Sequence, residues 1–402
     1  MQERDVVVVG AGSTGCSTFY HLAKLGVKEP LLIDMLPQVA AGQTSRSTAL
    51  VRTHYSSEAL ARMALLSYRF FKGFERELPG KTAGYVETGL IVGADEASVG
   101  ALRQNASMYA RLGIDSRLMT PEELSSSGIE PELDASHFSL FAYEPNAGYA
   151  EPSTTAAAFA AAGADLGGDF LPDARVTAIR RAPGGRAGYS VETSKGAVSC
   201  DRVVLATGVW SKPIFASIGV PLPLTVSRHP VAVFGRPPGF RGTRPVVFDF
   251  LRSAYYKPEG KDQLFVGSLS HELDAKARDS DPDDYPQGIS YDEVADFSAS
   301  ASSAFPLMGA SGTYRSGYAG LYDNTPDLHP VIDELSAWGL QGVHCVVGLS
   351  GHGFKLAPEF GRVCASMVTG GSFPDYDVSM FGLRRFDDGR LLTGRYGVST
   401  VL

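Results

Sequence analysis

The chain has 402 residues, enough for two or three domains at about 150 residues each. With 44% hydrophobic and 20% charged residues it has the balance of a folded globular protein, which excludes disordered and fibrous classes. Its net charge of −8 excludes the basic footprint of a binder of nucleic acid or anionic membrane, while 45 glycines, about 11% of the chain against a usual ~7%, need a location.

Residues 1–5 run straight into Val6-Val7-Val8-Val9, a β-branched run of the kind buried on both faces of a parallel sheet. Gly10-Ala11-Gly12-Ser13-Thr14-Gly15 follows, and then Cys16, Phe19, Leu22 and Ala23 recur at helical spacing until Gly26. A second strand over 31–33 finishes at Asp34. Strand, GxGxxG, helix, strand and acid within about 30 residues predict a dinucleotide site. Gly10 allows the tight turn, and Gly12 lets the backbone approach a pyrophosphate at the positive helix N-terminus beside Ser13 and Thr14. Gly15 permits close helix–strand packing, and Asp34 can accept from ribose hydroxyls. The motif alone leaves FAD and NAD both open.

In place of a next βα unit, Asp34 is followed by residues 40–55, rich in Gly, Ser, Thr and Arg. A helix is predicted over 57–78, stopped by Pro79-Gly80. Thr120-Pro121-Glu122-Glu123 reads as a capping-box helix start, and Ser153 as the cap of an alanine-rich helix to about Leu166. Between about 170 and 270 the pattern is short strands, among them 189–193, 231–234, 255–257 and 264–266, with turns such as Gly184-Gly185. Within it, Val203-Val204-Leu205-Ala206-Thr207-Gly208-Val209-Trp210 is a buried strand ending in Ala-Thr-Gly. A nucleotide domain completed from so distant a segment suits a flavoprotein better than a simple NAD dehydrogenase. Residues 272–288, acidic and proline-containing, read as an exposed loop.

Gly348-Leu349-Ser350-Gly351-His352-Gly353-Phe354-Lys355 follows a strand over 343–347 and opens a helix to about Val368. Backbone N–H groups again converge behind glycines at a helix N-terminus, a built anion site. Just upstream lies Tyr322-Asp323-Asn324-Thr325-Pro326-Asp327. Interleaved α/β and antiparallel blocks imply two domains, the nucleotide domain discontinuous. Cys16, Cys200, Cys345 and Cys364 are scattered, with no CxxC pair, and read as small buried hydrophobes of a reduced compartment with no metal site. No run approaches the ~18 apolar residues of a membrane span, and no signal-peptide segment precedes the first strand, so the chain reads as cytoplasmic.

Gly10 to Gly15 with Asp34, Ala206-Thr207-Gly208, Asn324-Thr325-Pro326-Asp327, Ser350-Gly351-His352-Gly353-Phe354-Lys355 and Ala147-Gly148-Tyr149-Ala150-Glu151-Pro152 carry a resemblance. Together they resemble the sarcosine oxidase and dimethylglycine dehydrogenase-like group of the D-amino-acid-oxidase (DAO) superfamily of FAD-dependent oxidoreductases. The match spans nearly the whole chain in order and is more specific for family than for substrate. It implies a mixed α/β fold: a discontinuous Rossmann-like FAD domain (1–85, 150–220 and 320–402) carrying a mixed-sheet substrate domain (86–149 and 221–319). The implied reaction oxidises the C–N bond of a secondary or N-substituted amino acid to an imine, by hydride transfer to flavin N5, and water then hydrolyses the imine. The implied FAD contacts are Gly10, Gly12, Ser13, Thr14, Gly15, Asp34, Ser45, Arg46, Ser47, Thr48, Val176, Ala206, Gly208, Trp210, Gly320, Gly351, Gly353, Phe354 and Lys355. Arg52 and Lys355 match the two cations that hold the substrate carboxylate and so aim its C–H at the flavin. Tyr322 and Tyr256 match aromatic walls, and His352 with the turn around it lies where reduced flavin gathers negative charge.

Departures from the group matter as much. Covalent members attach FAD through a cysteine at the position of Gly320 or a histidine near Arg46; with neither present, FAD is expected to bind non-covalently. Monomeric members carry an arginine at the position of Ala49, a histidine at that of Ser45 and an oxygen-activating lysine at that of Phe265, while His271 lies two residues beyond a further family histidine. Loss of that lysine slows reaction with O₂, so a dehydrogenase that passes electrons to a partner subunit or quinone stands beside the oxidase. Oxidation of another amine or a 2-hydroxy acid stays open, as does a flavin-binding scaffold without activity. The partners expected are a small amino acid or amine and O₂ or another acceptor, with no nucleic acid and no membrane span; a homo- or hetero-oligomer is compatible with the reading.

Overall fold

The computed structural model describes residues 3–182, 188–269, 279–371 and 375–396. The turn at Gly184-Gly185, His271 and residues 272–278 of the acidic loop lie outside these. The first sheet is built on parallel strands in the order Val343–Val347, Gly196–Leu205, Glu3–Val9, Leu31–Ile33 and Asp169–Leu171, so its parts come from across the chain. Val7 pairs with Val203 and Val203 in turn with Val343, all fully buried, as β-branched strands covered on both faces must be. Helix Ser13–Lys24 packs with helices Pro152–Asp165 and Gly353–Val368 over one face. Two antiparallel strands, Val176–Arg181 and Tyr189–Thr193, extend one edge through the first half of Gly196–Leu205.

The second sheet has eight strands in the order Thr313–Asn324, Thr225–Gly235, Gln263–Ser268, Ala254–Glu259, Val246–Asp249, Leu90–Ala94, Leu140–Glu144 and Arg117–Met119. All pairs are antiparallel except Val246–Asp249 with Leu90–Ala94. Helix Tyr291–Ala304 covers one face through Phe297 and Ala301, which join Phe240, Tyr256 and Phe305 in one core.

Most predicted elements are present, and several strands, among them Thr225–Gly235 and Gln263–Ser268, run longer than their apolar runs. The helix expected over 57–78 is Glu58–Lys72, interrupted at Gly73 and resumed as Phe74–Glu77; a mid-helix glycine costs roughly 1 kcal/mol, enough to favour the break. The alanine-rich helix is Pro152–Asp165, and its cap is Glu151 rather than Ser153, because Pro152 takes the first helical position. The capping box at Thr120 is formed, with Glu123 N–H donating to Thr120 Oγ1 at 3.2 Å and Thr120 N–H to Glu123 Oε2 at 2.7 Å. All four cysteines are buried and free. Residues 279–288 are mostly exposed, as the acidic composition suggested. Among the described residues no helix is long and apolar enough to cross a membrane, and no cluster could hold a metal ion.

Candidate active site

A cavity of about 490 Å³ is walled by both large sheets and by the segment that follows Asp34. Its glycine turn is locked by close contacts that no side chain would survive. Gly10 has φ +106°, and a Cβ there would lie 2.3 Å from the Ala206 carbonyl oxygen; a Cβ on Gly15 would lie 1.7 Å from the Gly10 oxygen. Gly15 therefore sits behind the turn as a packing residue, while Gly10, Gly12, Ser13 and Thr14 face the cavity. The helix starting at Ser13 aims its first N–H groups there, where the positive end of its dipole favours a phosphate. Thr44 closes the turn from the other side, its Oγ1 accepting from Ser13 N–H at 3.0 Å.

Asp34 lines the cavity too, but its carboxylate is already tied to the backbone: Oδ2 accepts from Ala11 N–H at 2.5 Å and Oδ1 from Leu36 N–H at 2.8 Å. Burial raises its pKa, against those bonds. Arg46, Ser47, Thr48, Val176, Ala206, Gly208, Trp210, Gly320, Gly351, Gly353 and Phe354 complete the expected wall. Ser45 faces a separate, smaller cavity instead.

Two buried cations enter the same space. Arg52 follows the short strand Leu50–Val51, lies over the rings of Tyr55 (4.4 Å) and Phe248 (5.4 Å), and donates to the His54 carbonyl. Lys355, in the first turn of helix Gly353–Val368, donates from Nζ to the Gly351 carbonyl at 2.9 Å. Burial, and after it the charge of Arg52, holds Lys355 well below the ordinary lysine pKa. Tyr322 faces the cavity stacked on His229, with ring centroids 3.6 Å apart. Gly351 has φ +78°, and a Cβ there would come within 2.7 Å of the Tyr322 ring, so glycine lets the turn reach the tyrosine.

Two of the expected catalytic residues lie elsewhere. Tyr256 turns to the opposite face of its strand, fully buried, with its hydroxyl 2.7 Å from Ser300 Oγ and its ring edge-on to Phe305. Its neighbour Tyr255 lines the cavity, because side chains alternate along a strand. His352 is set back from the wall, stacked on Tyr55 with Nδ1 2.9 Å from the tyrosine oxygen. Burial, with the charges of Lys355 and Arg52, pushes its pKa well down and keeps the ring neutral.

Phe265 faces the smaller cavity, and here the sequence hides a cation. Phe265 pairs across the sheet with Lys257, whose ammonium lies 4.8 Å from the Phe265 ring centre and 4.5 Å from that of Tyr149. Lys257 Nζ donates to the Thr48 carbonyl at 2.8 Å and is paired with Glu259, so a buried lysine backs the segment 46–48 that lines the main cavity. His229, Phe248 and Tyr255 also wall the cavity with no motif to announce them, and Asp323, inside the segment 322–327, lines it without having been singled out. Asp323 is buried, and burial raises its pKa to about 6 against the N–H groups of Leu349, Gly348 and Ser350.

A parallel sheet with a glycine turn at a helix N-terminus, joined to a second sheet over a shared cavity, defines a dinucleotide-binding architecture with room for a second ligand. The profile of the DAO family, described as FAD dependent oxidoreductase, matches residues 5–367, and the chain belongs to that family. That family is one of FAD-dependent oxidoreductases. Over 389 residues it is 26% identical to mitochondrial sarcosine dehydrogenase of Mus musculus, covering 95% of this chain and 41% of that protein. It is 25% identical over 395 residues to monomeric sarcosine oxidase of Bacillus sp. (strain NS-129), covering 95% of this chain and 96% of that protein. Among solved structures, L-proline dehydrogenase from P. horikoshii superposes with a TM-score of 0.86 at 26% identity, covering 97% of this chain and all of that one. The residues present fit FAD: a cradle that a Cβ would fill at Gly10, a helix N-terminus for the pyrophosphate, and a polar wall of Gln43, Thr44, Arg46, Ser47 and Thr48.

Proposed function

We propose that this protein oxidises the C–N bond of a secondary or N-substituted amino acid whose carboxylate is held between Arg52 and Lys355. The observation that carries the reading is that both cations are buried, share one cavity and rest on backbone carbonyls. Bound FAD supplies the two-electron acceptor at such a site. Arg52 and Lys355 grip the carboxylate, the fork of Arg52 fixing its plane and the ammonium its tilt. Tyr322, Tyr255 and Phe248 form a wall that excludes water and favours the uncharged, deprotonated amine over the ammonium form. The oxidised product is an imine, which water hydrolyses outside the dry site. Gly320 offers no side chain for a covalent bond to the flavin, which supports non-covalent FAD. The acceptor reading is supported on the O₂ side by Lys257, whose buried charge lies behind Thr48; a partner protein as acceptor is the alternative that Phe265 favours. Residues 1–85, 150–220 and 320–402 would form the FAD domain, and 86–149 with 221–319 the substrate domain.

The test compares sarcosine with sarcosinamide, which differs only in lacking the anionic carboxylate. Under anaerobic conditions sarcosine or a bulkier N-alkyl amino acid should bleach the flavin, with its amide weaker by tenfold or more in half-saturating concentration, about the worth of one charged hydrogen bond. Equal response to acid and amide overturns the anchoring.

A further inference from the structure

Behind the two cations lies a layer that the reaction as described does not use. His54 is wholly buried: its Nδ1 meets Glu144 Oε1 at 2.9 Å and its Nε2 meets the Tyr396 hydroxyl at 2.9 Å. The other Glu144 oxygen accepts from Thr53, from its N–H at 3.2 Å and its hydroxyl at 2.7 Å. The carbonyl of the same His54 accepts from the Arg52 guanidinium, so the bonds that fix His54 also fix the acceptor on which Arg52 rests. Tyr396 further stacks on the His54 ring, centroids 5.9 Å apart and planes 20° apart, and meets Phe250 edge-on at 5.0 Å. Its neighbour Arg395 donates to the Ser56 carbonyl at 2.8 Å and to Asn105 Oδ1 at 2.6 Å. Residues 395 and 396 thus clamp the segment 53–56 that follows Arg52.

The other end of the same short segment reaches the lysine. Leu392 N–H donates to Asp327 Oδ2 at 3.1 Å, on a carboxylate that Arg385 already forks at 2.8 and 3.0 Å. The hydroxyl of Thr325 lies 3.1 Å from Asp327 Oδ1, and its N–H donates to Ser350 Oγ at 3.2 Å. Ser350 belongs to the turn whose next residue, Gly351, supplies the carbonyl under Lys355. One stretch of five residues is therefore bonded at both ends to the supports of both cations, although none of its residues lines the cavity.

We infer that residues 392–396 form a strap that positions Arg52 and the turn bearing Lys355, and so sets affinity for the carboxylate without touching it. This rests on the proposed role of the two cations. A hydrogen bond of the Tyr396–His54 kind is worth about fivefold in an equilibrium, provided its loss lets the guanidinium wander from the productive geometry.

The test uses the holoenzyme and propionate, with propionamide as the uncharged control, read by perturbation of flavin absorbance. Tyr396→Phe and Arg395→Ala should each raise the propionate Kd about fivefold, and deletion of 391–402 more, while the propionamide Kd moves by less than about twofold. Arg395→Lys should restore part of the loss, and with an amino-acid substrate the defect should fall on KM rather than kcat. Arg52→Met is the control for the underlying reading. If it leaves the propionate Kd unchanged, the carboxylate anchor is overturned, and the strap's function with it. If Arg52→Met weakens propionate while Tyr396→Phe and Arg395→Ala lower only the melting temperature, the strap alone is overturned. Should the deletion fail to fold, the two point variants still decide.

Discussion

Replacing Lys355 by Met keeps an unbranched side chain only one atom shorter and removes its charge, so it isolates one of the two proposed anchors. Nζ rests on the Gly351 carbonyl at 2.9 Å in a buried pocket that also holds Arg52. A hydrogen bond to a charged partner is worth about 1.5–3 kcal/mol, so the variant should bind propionate roughly 10- to 100-fold more weakly while retaining FAD. The pH dependence gives a sharper signature. Burial and Arg52 lower the Lys355 pKa, so above that depressed value the ligand-free enzyme holds Lys355 neutral, and a carboxylate must bring a proton with it. Affinity in the parent protein should therefore be full below the depressed pKa and fall as pH rises through it, by up to about tenfold per pH unit. In Lys355→Met that slope should vanish. Titration of flavin absorbance with propionate at a series of pH values measures both effects. Parent-like affinity in the variant, or an identical pH slope in both proteins, refutes the reasoning.

Other consequences follow from single contacts. Tyr256→Phe removes a hydrogen bond to Ser300 on the far side of the sheet, so thermal unfolding should show a loss of about 1 kcal/mol with substrate affinity unchanged; a change in affinity would return Tyr256 to the site. Lys257→Met removes the buried charge behind Thr48 and should slow reoxidation of the reduced enzyme in air, measured by stopped flow, while anaerobic reduction keeps its rate; equal reoxidation rates would remove Lys257 from O₂ chemistry. Asp323 has its folded pKa raised to about 6, so the folded state binds its proton more tightly than the unfolded chain does. Its contribution to stability is present below the unfolded pKa of about 4 and declines as pH rises to about 6, by up to about 3 kcal/mol. Asp323→Asn should flatten denaturant-measured stability across that window, and an unchanged slope would contradict the assignment.

The nucleotide turn was legible because its chemistry is local: strand, glycines, helix start and acid lie within a few dozen residues, and Gly10 and Gly15 each answer a close backbone contact. Arg52 and Lys355 were legible through the motifs that contain them. Tyr256 was placed one residue out of phase because strand Ala254–Glu259 is covered on both faces, and a strand buried throughout shows no alternation to read. His352 sits in a readable motif, but only the approach of Tyr55 shows that its ring faces away from the cavity. Lys257 stayed hidden because cross-strand register, not sequence distance, brings it to Phe265. The strap at 392–396 carries no pattern at all: its partners are 54, 56, 105 and 327, and nothing local encodes such pairings.

The central claim is that a carboxylate-anchored secondary or N-substituted amino acid reduces this flavoprotein. Anaerobic absorbance of the holoenzyme, followed across sarcosine, dimethylglycine, proline, pipecolate, opines, glycine, D-amino acids and a 2-hydroxy acid, tests it most directly. The account predicts bleaching by one or more of the secondary or N-substituted amino acids, with glycine and the hydroxy acid far slower. Reduction only by the hydroxy acid or by primary amino acids, or by no compound of the set, would contradict it.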